Sequence, residues 1–244
     1  MKSTLFSFGP VHIYSYGAMI ALGIMAAIGF MIRLGKKENF TSNFIYDLVF
    51  TSVVSGFIGA RIFYVVQNYN FYILHPLSIF AIWEGGLIYY GGVVAALIAL
   101  YFFAQWKKVK YFDMLDFIFP YLAFVHAFGR IGCFLNGCCY GRPCDLPWGI
   151  RFPKVEGTVH PTQLYEMLVN FVIFFFLTRL YPKRSFSGQV TALYFIFYGL
   201  GRFLIEFWRV SDGTWFFLSW NQWISIVLIL LGVALFKRWN PQHP

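Results

Sequence analysis

Long apolar runs recur along the whole chain, and they limit the fold more than any other feature. A helix needs about 20 apolar residues to cross roughly 30 Å of hydrocarbon. Runs near that length predict seven transmembrane helices, at residues 11–32, 44–66, 86–105, 114–135, 163–181, 189–208 and 216–236. Because 59% of the residues are hydrophobic and 12% are charged, the composition disfavours a water-soluble fold. The sequence therefore predicts an all-α polytopic membrane protein, with residues 1–244 forming a single membrane-embedded domain.

The distribution of basic residues predicts how these helices are oriented. Cytoplasmic connections of membrane proteins carry an excess of Lys and Arg. Eleven of the 19 basic residues fall on alternate connections, namely Arg33, Lys36, Lys37, Lys107, Lys108, Lys110, Arg179, Lys183, Arg184, Lys237 and Arg238. The opposite side receives five, which are Lys2, Arg142, Arg151, Lys154 and Arg209. We therefore place the N-terminus outside, the C-terminus in the cytoplasm, and the loop of about residues 136–162 on the outer face.

The net charge of +9 is also compatible with nucleic-acid binding. Nucleic-acid-binding proteins gather their basic residues into one patch or stripe. Here the basic residues are scattered in twos and threes between the apolar runs. The charge therefore indicates cytoplasmic connections, and we predict no nucleic-acid partner.

Proline and glycine punctuate the predicted outer loop, which indicates a tight and ordered connection. These residues are Gly137, Gly141, Pro143, Pro147, Gly149, Pro153 and Gly157. Residues 148–152 within the loop alternate weakly between apolar and polar, a pattern that would suit a short strand.

Several ionisable residues lie inside the predicted spans or at their edges. A charge in hydrocarbon costs a few kcal/mol or more, so such a side chain generally faces a partner or a wet cavity. The positions are Arg61; His126 and Arg130; Tyr165 and Glu166; and Tyr198, Arg202 and Glu206. Spacing of four residues places the members of a set on one helix face. We predict that the function depends on these buried charges.

The charges allow two interpretations. Arg202 and Glu206 are spaced for an intrahelical ion pair that would merely neutralise both residues. Arg130 has no acidic residue within one helical turn, so its counter-charge comes from elsewhere or from a ligand. A planar guanidinium suits bidentate recognition of phosphate. Arginines that converge near the outer leaflet would form an anion site for a phospholipid head group.

All four cysteines lie close together near the predicted outer face, at Cys133, Cys138, Cys139 and Cys144. An oxidising compartment permits a disulfide, and four cysteines allow three pairings, which the sequence leaves open. The spacing differs from the usual zinc pattern of paired cysteines. Nearby Arg130 and Arg142 offer an electropositive setting that would favour a reactive thiolate. Structural or disulfide use is favoured over metal binding and over catalysis.

The segment from Gly129 to Gly137, GRIGCFLNG, together with Tyr140 and Gly141, resembles the signature of the bacterial prolipoprotein diacylglyceryl transferase family. Further segments occur in the family's order across nearly the whole chain. They are Tyr16-Gly17, Glu84-Gly85-Gly86-Leu87, Tyr90-Gly91-Gly92, His160 to Glu166 (HPTQLYE) and Tyr198 to Asp212. The family also has seven spans and an outward N-terminus.

The resemblance implies transfer of an sn-1,2-diacylglyceryl group from phosphatidylglycerol to the lipobox cysteine of a preprolipoprotein signal peptide. The products are a thioether and glycerol phosphate, in the first step of lipoprotein maturation. The implied location is the bacterial inner membrane, in contact with membrane lipids. No metal and no organic cofactor is implied.

By position, Arg130 and Arg202 resemble the two family arginines that hold the lipid phosphate. The residues predicted to bind substrate are Arg130, Tyr16, Arg61, Asn136, Gly141, Tyr198, His160, Tyr165 and Glu166. The sequence departs from the family pattern at three positions. Tyr90 stands where many members have His, Cys133 where the signature usually has Asn, and Cys138 where it has Glu.

The resemblance also suggests a mechanism. A cysteine thiol with a pKa near 8.5 is only slightly ionised at neutral pH, so modest base assistance suffices. The departing phosphate develops charge that preorganised cations stabilise, which is the role predicted for Arg130 and Arg202. Glu206 would fix Arg202. The base is left open among His126, His160 and Tyr90, and the predicted catalytic residues are Arg130, Arg202, Glu206, His126 and Tyr90.

Two other classes of protein fit parts of the sequence. Buried arginines and glycine-rich helices would also serve a transporter or channel for an anionic solute. The seven spans, however, do not divide into two equal inverted halves. The four cysteines would also serve a membrane thiol-redox protein, which would lose its function if all four were changed to Ser.

Overall fold

A computed structural model of the chain describes residues 4–8, 11–38, 40–81, 85–153, 155–210 and 213–239. Seven of its helices are long and apolar enough to cross a membrane, which confirms the predicted number of spans. The helices are α1 (Ser15–Gly35), α2 (Ser42–Gln67), α3 (Tyr69–Leu74), α4 (Tyr89–Lys107), α5 (Tyr111–Asn136), α6 (Thr162–Leu180), α7 (Gln189–Ile205) and α8 (Trp220–Trp239). Short 3-10 helices follow at Pro76–Phe80, Tyr181–Lys183 and Glu206–Trp208. The short α3 and the 3-10 helix Pro76–Phe80 lie in the connection between the second and third spans.

The start of the first span differs from the prediction. Strand β1 (Thr4–Phe8) pairs antiparallel with β2 (Val11–Tyr14), and the helix begins only at Ser15. Val11 and Ile13 belong to the apolar run that predicts the first span. Both residues are β-branched, and such residues also favour strands. The last span likewise begins later than predicted, because β3 (Thr214–Trp215) and β4 (Leu218–Ser219) form a small hairpin before α8.

The outer loop is ordered by isolated pairings. Val159 bridges both Pro143 and Ile150, and Gly141 bridges Arg209. The strand considered for residues 148–152 is reduced to the single bridge at Ile150. The loop is therefore tied to the segment that follows α7, which brings Arg209 beside the signature residues. The predicted orientation of the spans across the membrane remains a prediction.

The chain divides into two compact units, residues 28–114 and residues 1–27 with 115–244. In the first unit, α2 and α4 approach closely at small residues: a Cβ atom on Gly92 would lie 2.8 Å from the Gly56 carbonyl oxygen. In the second unit, the buried Asp116 carboxylate accepts hydrogen bonds from the Gly188 and Thr191 amides at the start of α7, both of 2.8 Å. Both units consist of spans and their connections, and their action as one membrane domain remains a prediction.

Candidate active site

Glu166 lies at the centre of a buried cluster of charges. The residue belongs to the first turns of α6, and its side chain is 3% exposed. Its Oε1 atom accepts from Arg209 Nη1 over 2.8 Å and lies 3.4 Å from Arg202 Nη1. Its Oε2 atom lies 2.8 Å from Arg130 Nε, a charge contact without a hydrogen bond among the described residues. The counter-charge that the sequence left open for Arg130 is therefore Glu166.

Glu206 is the second carboxylate of the cluster. Its Oε2 lies 2.7 Å from Arg202 Nη1 and 3.7 Å from Arg209 Nε, while its Oε1 accepts from Ser219 Oγ and Asn221 Nδ2, both over 2.9 Å. The intrahelical ion pair considered from the spacing is therefore present. It belongs to a larger set in which both carboxylates share Arg202 and Arg209.

The five side chains carry three positive and two negative charges, so the cluster keeps one net positive charge. A buried charge is strongly unfavourable unless an opposite charge compensates it. An anionic ligand would supply that compensation, and guanidinium groups match the oxygens of phosphate. The cluster is thus chemically suited to a phosphate-bearing ligand.

Arg209 also belongs to the cluster. The sequence does not identify it as a site residue, because Arg209 falls on a predicted outer connection. Two contacts hold the backbone of Arg209 in place. The Arg142 Nε–H donates to the Arg209 carbonyl over 3.1 Å, and Gly141 forms an isolated bridge with Arg209. A spacing of three from Glu206 on a helical turn was the local signal that could have identified Arg209.

His126 and Tyr198 lie against each other, with ring centroids 5.3 Å apart and planes tilted by 33°. Tyr198 also stacks on Tyr194 at 5.6 Å. His126 is close enough to Arg130 and Glu166 for their charges to act on it. Both predicted residues therefore border the charge cluster, and a role for His126 as base remains a prediction.

His160 and Tyr165 form a second polar pair at the start of α6. The His160 Nδ1 and Tyr165 Oη atoms are 3.2 Å apart, and Trp148 Nε1–H donates to Tyr165 Oη over 2.9 Å. The Gly141 amide donates to the His160 carbonyl over 2.8 Å. A cavity of about 630 Å³ lies beside this pair, lined by Pro147, Trp148, Gly149, Ile150, Pro161, Leu164, Tyr165 and Leu168. Its lining is almost entirely apolar.

The thiols of Cys133, Cys138 and Cys139 lie together at the C-terminal end of α5, and all four cysteines of the chain are free. The hydrogen bond from Cys133, with further help from Cys138 and the positive charges of Arg209 and Arg130, lowers the pKa of Cys139 to about 5. Burial raises the pKa of Cys138. Asn136, the last residue of α5, donates from Nδ2 to Cys138 Sγ over 3.7 Å.

Tyr16 is near these thiols, since its hydroxyl is within electrostatic reach of Cys133 and Arg130. The close approach of α1 to α5 depends on Gly132, where a Cβ atom would lie 3.0 Å from the Tyr16 Cα atom. The structure therefore brings Tyr16, Asn136 and the thiols to the same end of α5. Their contact with substrate remains a prediction.

Arg61 and Tyr90 belong to the other compact unit. The Arg61 guanidinium donates five hydrogen bonds to backbone carbonyls, those of Ser78, Ile79, Ala81, Gly85 and Gly86. It therefore holds the segment before α4, and substrate binding by Arg61 stays a prediction. Tyr90 is exposed, with its ring edge against Tyr89. Glu84, Ser211 and Asp212, which contributed to the resemblance, lie outside the described residues.

The seven spans and the net-positive cluster define a polytopic membrane protein with a charged site among its spanning helices. The family model described as prolipoprotein diacylglyceryl transferase matches residues 3–238, and the chain belongs to this family. The resemblance read from the signature is thereby confirmed.

Three relatives illustrate the similarity, each named phosphatidylglycerol–prolipoprotein diacylglyceryl transferase. The Clostridium tetani protein is 36% identical, with 97% of this chain and 97% of the relative covered. The Finegoldia magna protein is 37% identical, with 99% and 97% covered. The Bordetella avium protein is 38% identical, with 93% and 90% covered. The similarity therefore extends over nearly the full length of each relative.

Proposed function

We propose that this chain transfers the diacylglyceryl group of phosphatidylglycerol to the cysteine thiol of a prolipoprotein, in a bacterial inner membrane. The products are a thioether and glycerol phosphate. Family membership supports the reaction. The structural observation that carries the proposal is the excess positive charge of three arginines around Glu166 and Glu206.

The arginines have a defined role in this reaction. When the sulfur attacks the glycerol carbon, the breaking C–O bond leaves a second negative charge on the phosphate. Fixed cations in a site of low dielectric stabilise such developing charge without reorganising during the reaction. The family resemblance points to Arg130 and Arg202 for this role, and we add Arg209 because of its contact with Glu166.

The carboxylates position the arginines. Glu166 contacts all three guanidinium groups, and Glu206 contacts two of them. Without these partners, three like charges would repel one another in a buried site. The carboxylates therefore bring the arginines close together while leaving one positive charge for the lipid phosphate.

The decisive experiment incubates the purified chain with phosphatidylglycerol and a synthetic lipobox peptide, followed by mass spectrometry. We expect a peptide adduct of diacylglyceryl mass and an equal amount of glycerol phosphate. Arg130→Ala and Arg202→Ala should abolish the adduct while the protein stays folded. Arg179→Ala is the matched control, because Arg179 is exposed near the far end of the helix that carries Glu166.

Two results would contradict the proposal. Full activity of Arg130→Ala or Arg202→Ala would remove the phosphate-binding role of the cluster. A folded wild-type protein that forms no adduct would exclude the transfer reaction and favour transport of an anionic solute, which radiolabelled phosphate or phospholipid uptake into proteoliposomes would then detect.

A further inference from the structure

Three thiols gather at the end of α5 within bonding reach of a single ion. Cys133 lies in the last turn of α5, while Cys138 and Cys139 lie in the turn that follows. Their sulfur atoms all lie within 4.8 Å of one another, and those of Cys138 and Cys139 are 3.7 Å apart. Zinc–sulfur bonds of about 2.3 Å place sulfur atoms about 3.8 Å apart on a tetrahedron. The observed separations therefore suit three thiolates on one zinc ion.

The backbone that carries these thiols is firmly held. The Cys138 amide donates to the Cys133 carbonyl over 3.1 Å. The Cys138 carbonyl accepts from Gln163 Nε2 over 2.6 Å, and the Cys139 carbonyl accepts from Thr162 Oγ1 over 2.9 Å. Both donors belong to the first turn of α6, the helix that carries Glu166. The thiol cluster and the charge cluster are therefore fixed to the same helix start.

The turn also adopts an uncommon backbone conformation that directs its side chains. Cys139 has a φ of 64°, in the left-handed region that residues other than glycine seldom occupy. Such conformations persist where the surrounding structure imposes them, and they concentrate at functional sites. Here the Cys139 carbonyl accepts a hydrogen bond from Thr162, and Gly137 in the same turn has a φ of 71°.

Two arginines of the charge cluster lie within electrostatic reach of the thiols. Arg130 precedes Cys133 by three residues on α5, and both Arg130 and Arg209 act electrostatically on Cys139. Cationic neighbours stabilise thiolates, which are the form that binds metal.

We propose that Cys133, Cys138 and Cys139 bind one zinc ion, and that the fourth coordination position of this ion takes the cysteine thiol of the prolipoprotein. The second half of this statement rests on the proposed function. Catalytic zinc sites characteristically have three protein ligands and one open position. A thiol that coordinates zinc is deprotonated. Zinc would thus generate the nucleophilic thiolate without a separate base. The sequence leaves the identity of a base open among His126, His160 and Tyr90.

The step balances without an oxidant or a reductant. The substrate thiol releases its proton to solvent as its sulfur takes the fourth position on zinc. That sulfur then forms the S–C bond to the glycerol carbon, while the C–O bond to phosphate breaks and its electron pair leaves with glycerol phosphate. The thioether binds zinc more weakly than a thiolate, so the product dissociates and the position opens again.

The binding of metal is tested first, independently of transfer. The reduced full-length protein in detergent is stripped with a chelator and titrated with Co²⁺, which reports thiolate ligands through a sulfur-to-cobalt charge-transfer band in the near ultraviolet. We expect one cobalt ion per chain and loss of the band in Cys138→Ser and Cys139→Ser. Cys144→Ser is the matched control, because Cys144 is a buried cysteine outside the cluster and its variant should keep the band.

Gel filtration and tryptophan fluorescence establish that each variant is folded before its spectrum is compared. Wild-type protein with reduced thiols and no charge-transfer band would overturn the site. A band that survives both substitutions would also overturn it, and so would a disulfide among the three cysteines in active enzyme purified without reductant.

The open position is tested by adding a lipobox peptide with a single cysteine to the cobalt protein. We expect the visible ligand-field bands to shift as a fourth sulfur binds, and no shift with the same peptide carrying serine. Bands that the cysteine peptide leaves unchanged would overturn the assignment of the fourth position.

Transfer activity then separates this inference from the proposed function. Stripped enzyme should lose transfer and regain it with one equivalent of zinc. Full transfer by the stripped enzyme would overturn the role of zinc while supporting the proposed function. If neither the stripped nor the zinc-loaded enzyme transfers the diacylglyceryl group, the proposed function fails. The cobalt titration then still decides whether the zinc site exists.

Discussion

The Arg209 guanidinium donates to Glu166 Oε1 over 2.8 Å, although the two residues are 43 positions apart in the chain. The contact joins the turn after α7 to the start of α6. It also gives Glu166 a third arginine, which raises the number of cations in the cluster above the number of carboxylates. The residual charge available to an anionic lipid therefore depends on Arg209.

Substitution of Arg209 is expected to impair transfer strongly. Arg209→Ala should lower kcat/KM by about 10²- to 10³-fold, the usual effect of removing one preorganised donor from a site of developing charge. Arg209→Lys should fall between the wild type and Arg209→Ala, because it keeps the charge but not the planar donor geometry. Release of glycerol phosphate measures the rate. Activity of Arg209→Ala equal to that of Arg179→Ala would exclude Arg209 from the site.

Neutralising Glu166 is expected to destabilise the fold. Glu166→Gln leaves three buried arginines with one carboxylate, and breaking a buried ion pair on one side costs about 3–5 kcal/mol. Thermal unfolding in detergent measures the loss. Asp47→Asn is the control, because the Lys107–Asp47 pair has 27% and 47% of its side chains exposed and such pairs contribute about 0–1 kcal/mol. Equal losses of stability in Glu166→Gln and Asp47→Asn would show that the buried cluster stabilises the fold no more than an exposed ion pair does.

The number of membrane spans could be predicted because the length of an apolar run is a local property of the sequence. The start of α1 could not be predicted, since residues 11–14 (VHIY) are mostly apolar and include β-branched side chains, which suit a strand as well as a helix. The β1–β2 pairing, which depends on residues before the run, decides between the two. Local apolarity therefore specified the spans but not their ends.

The candidate site likewise contains one contact that a local pattern predicts and others that depend on packing. The Arg202–Glu206 pair follows from spacing on one helix and was considered from the sequence. The Arg130–Glu166 contact joins two helices and depends on their packing, which no local pattern specifies. The thiol cluster likewise depends on the turn at Gly137 and Cys139, whose positive φ angles the spacing of cysteines does not reveal.

Substituting Gly141 is expected to disturb the site through the backbone. A Cβ atom there would overlap the Trp208 carbonyl oxygen and lie 2.8 Å from the His160 Cβ atom, so the bridge between Gly141 and Arg209 would have to open. Gly141→Ala should therefore lower both transfer and thermal stability. Gly29→Ala is the control, because a Cβ atom at Gly29 meets nothing within 4 Å. A Gly141→Ala protein as stable and active as Gly29→Ala would contradict the packing argument.

The thiols of Cys138 and Cys139 are expected to differ in how their alkylation depends on pH. The hydrogen bond from Cys133, assisted by Cys138 and two arginines, lowers the pKa of Cys139 to about 5, whereas burial raises the pKa of Cys138. A lowered pKa keeps the reactive thiolate present at mildly acidic pH.

In metal-free, reduced protein, iodoacetamide should therefore modify Cys139 at a nearly constant rate from about pH 6 to about pH 8 and more slowly below about pH 5. Modification of Cys138 should accelerate with pH across the whole range, because its thiolate fraction keeps growing as the pH approaches its raised pKa. Tandem mass spectrometry distinguishes the two neighbouring cysteines, and Cys139→Ser should remove the component that persists in acid. If Cys139 followed the same pH profile as Cys138, its thiolate would not be stabilised by Cys133 and the arginines.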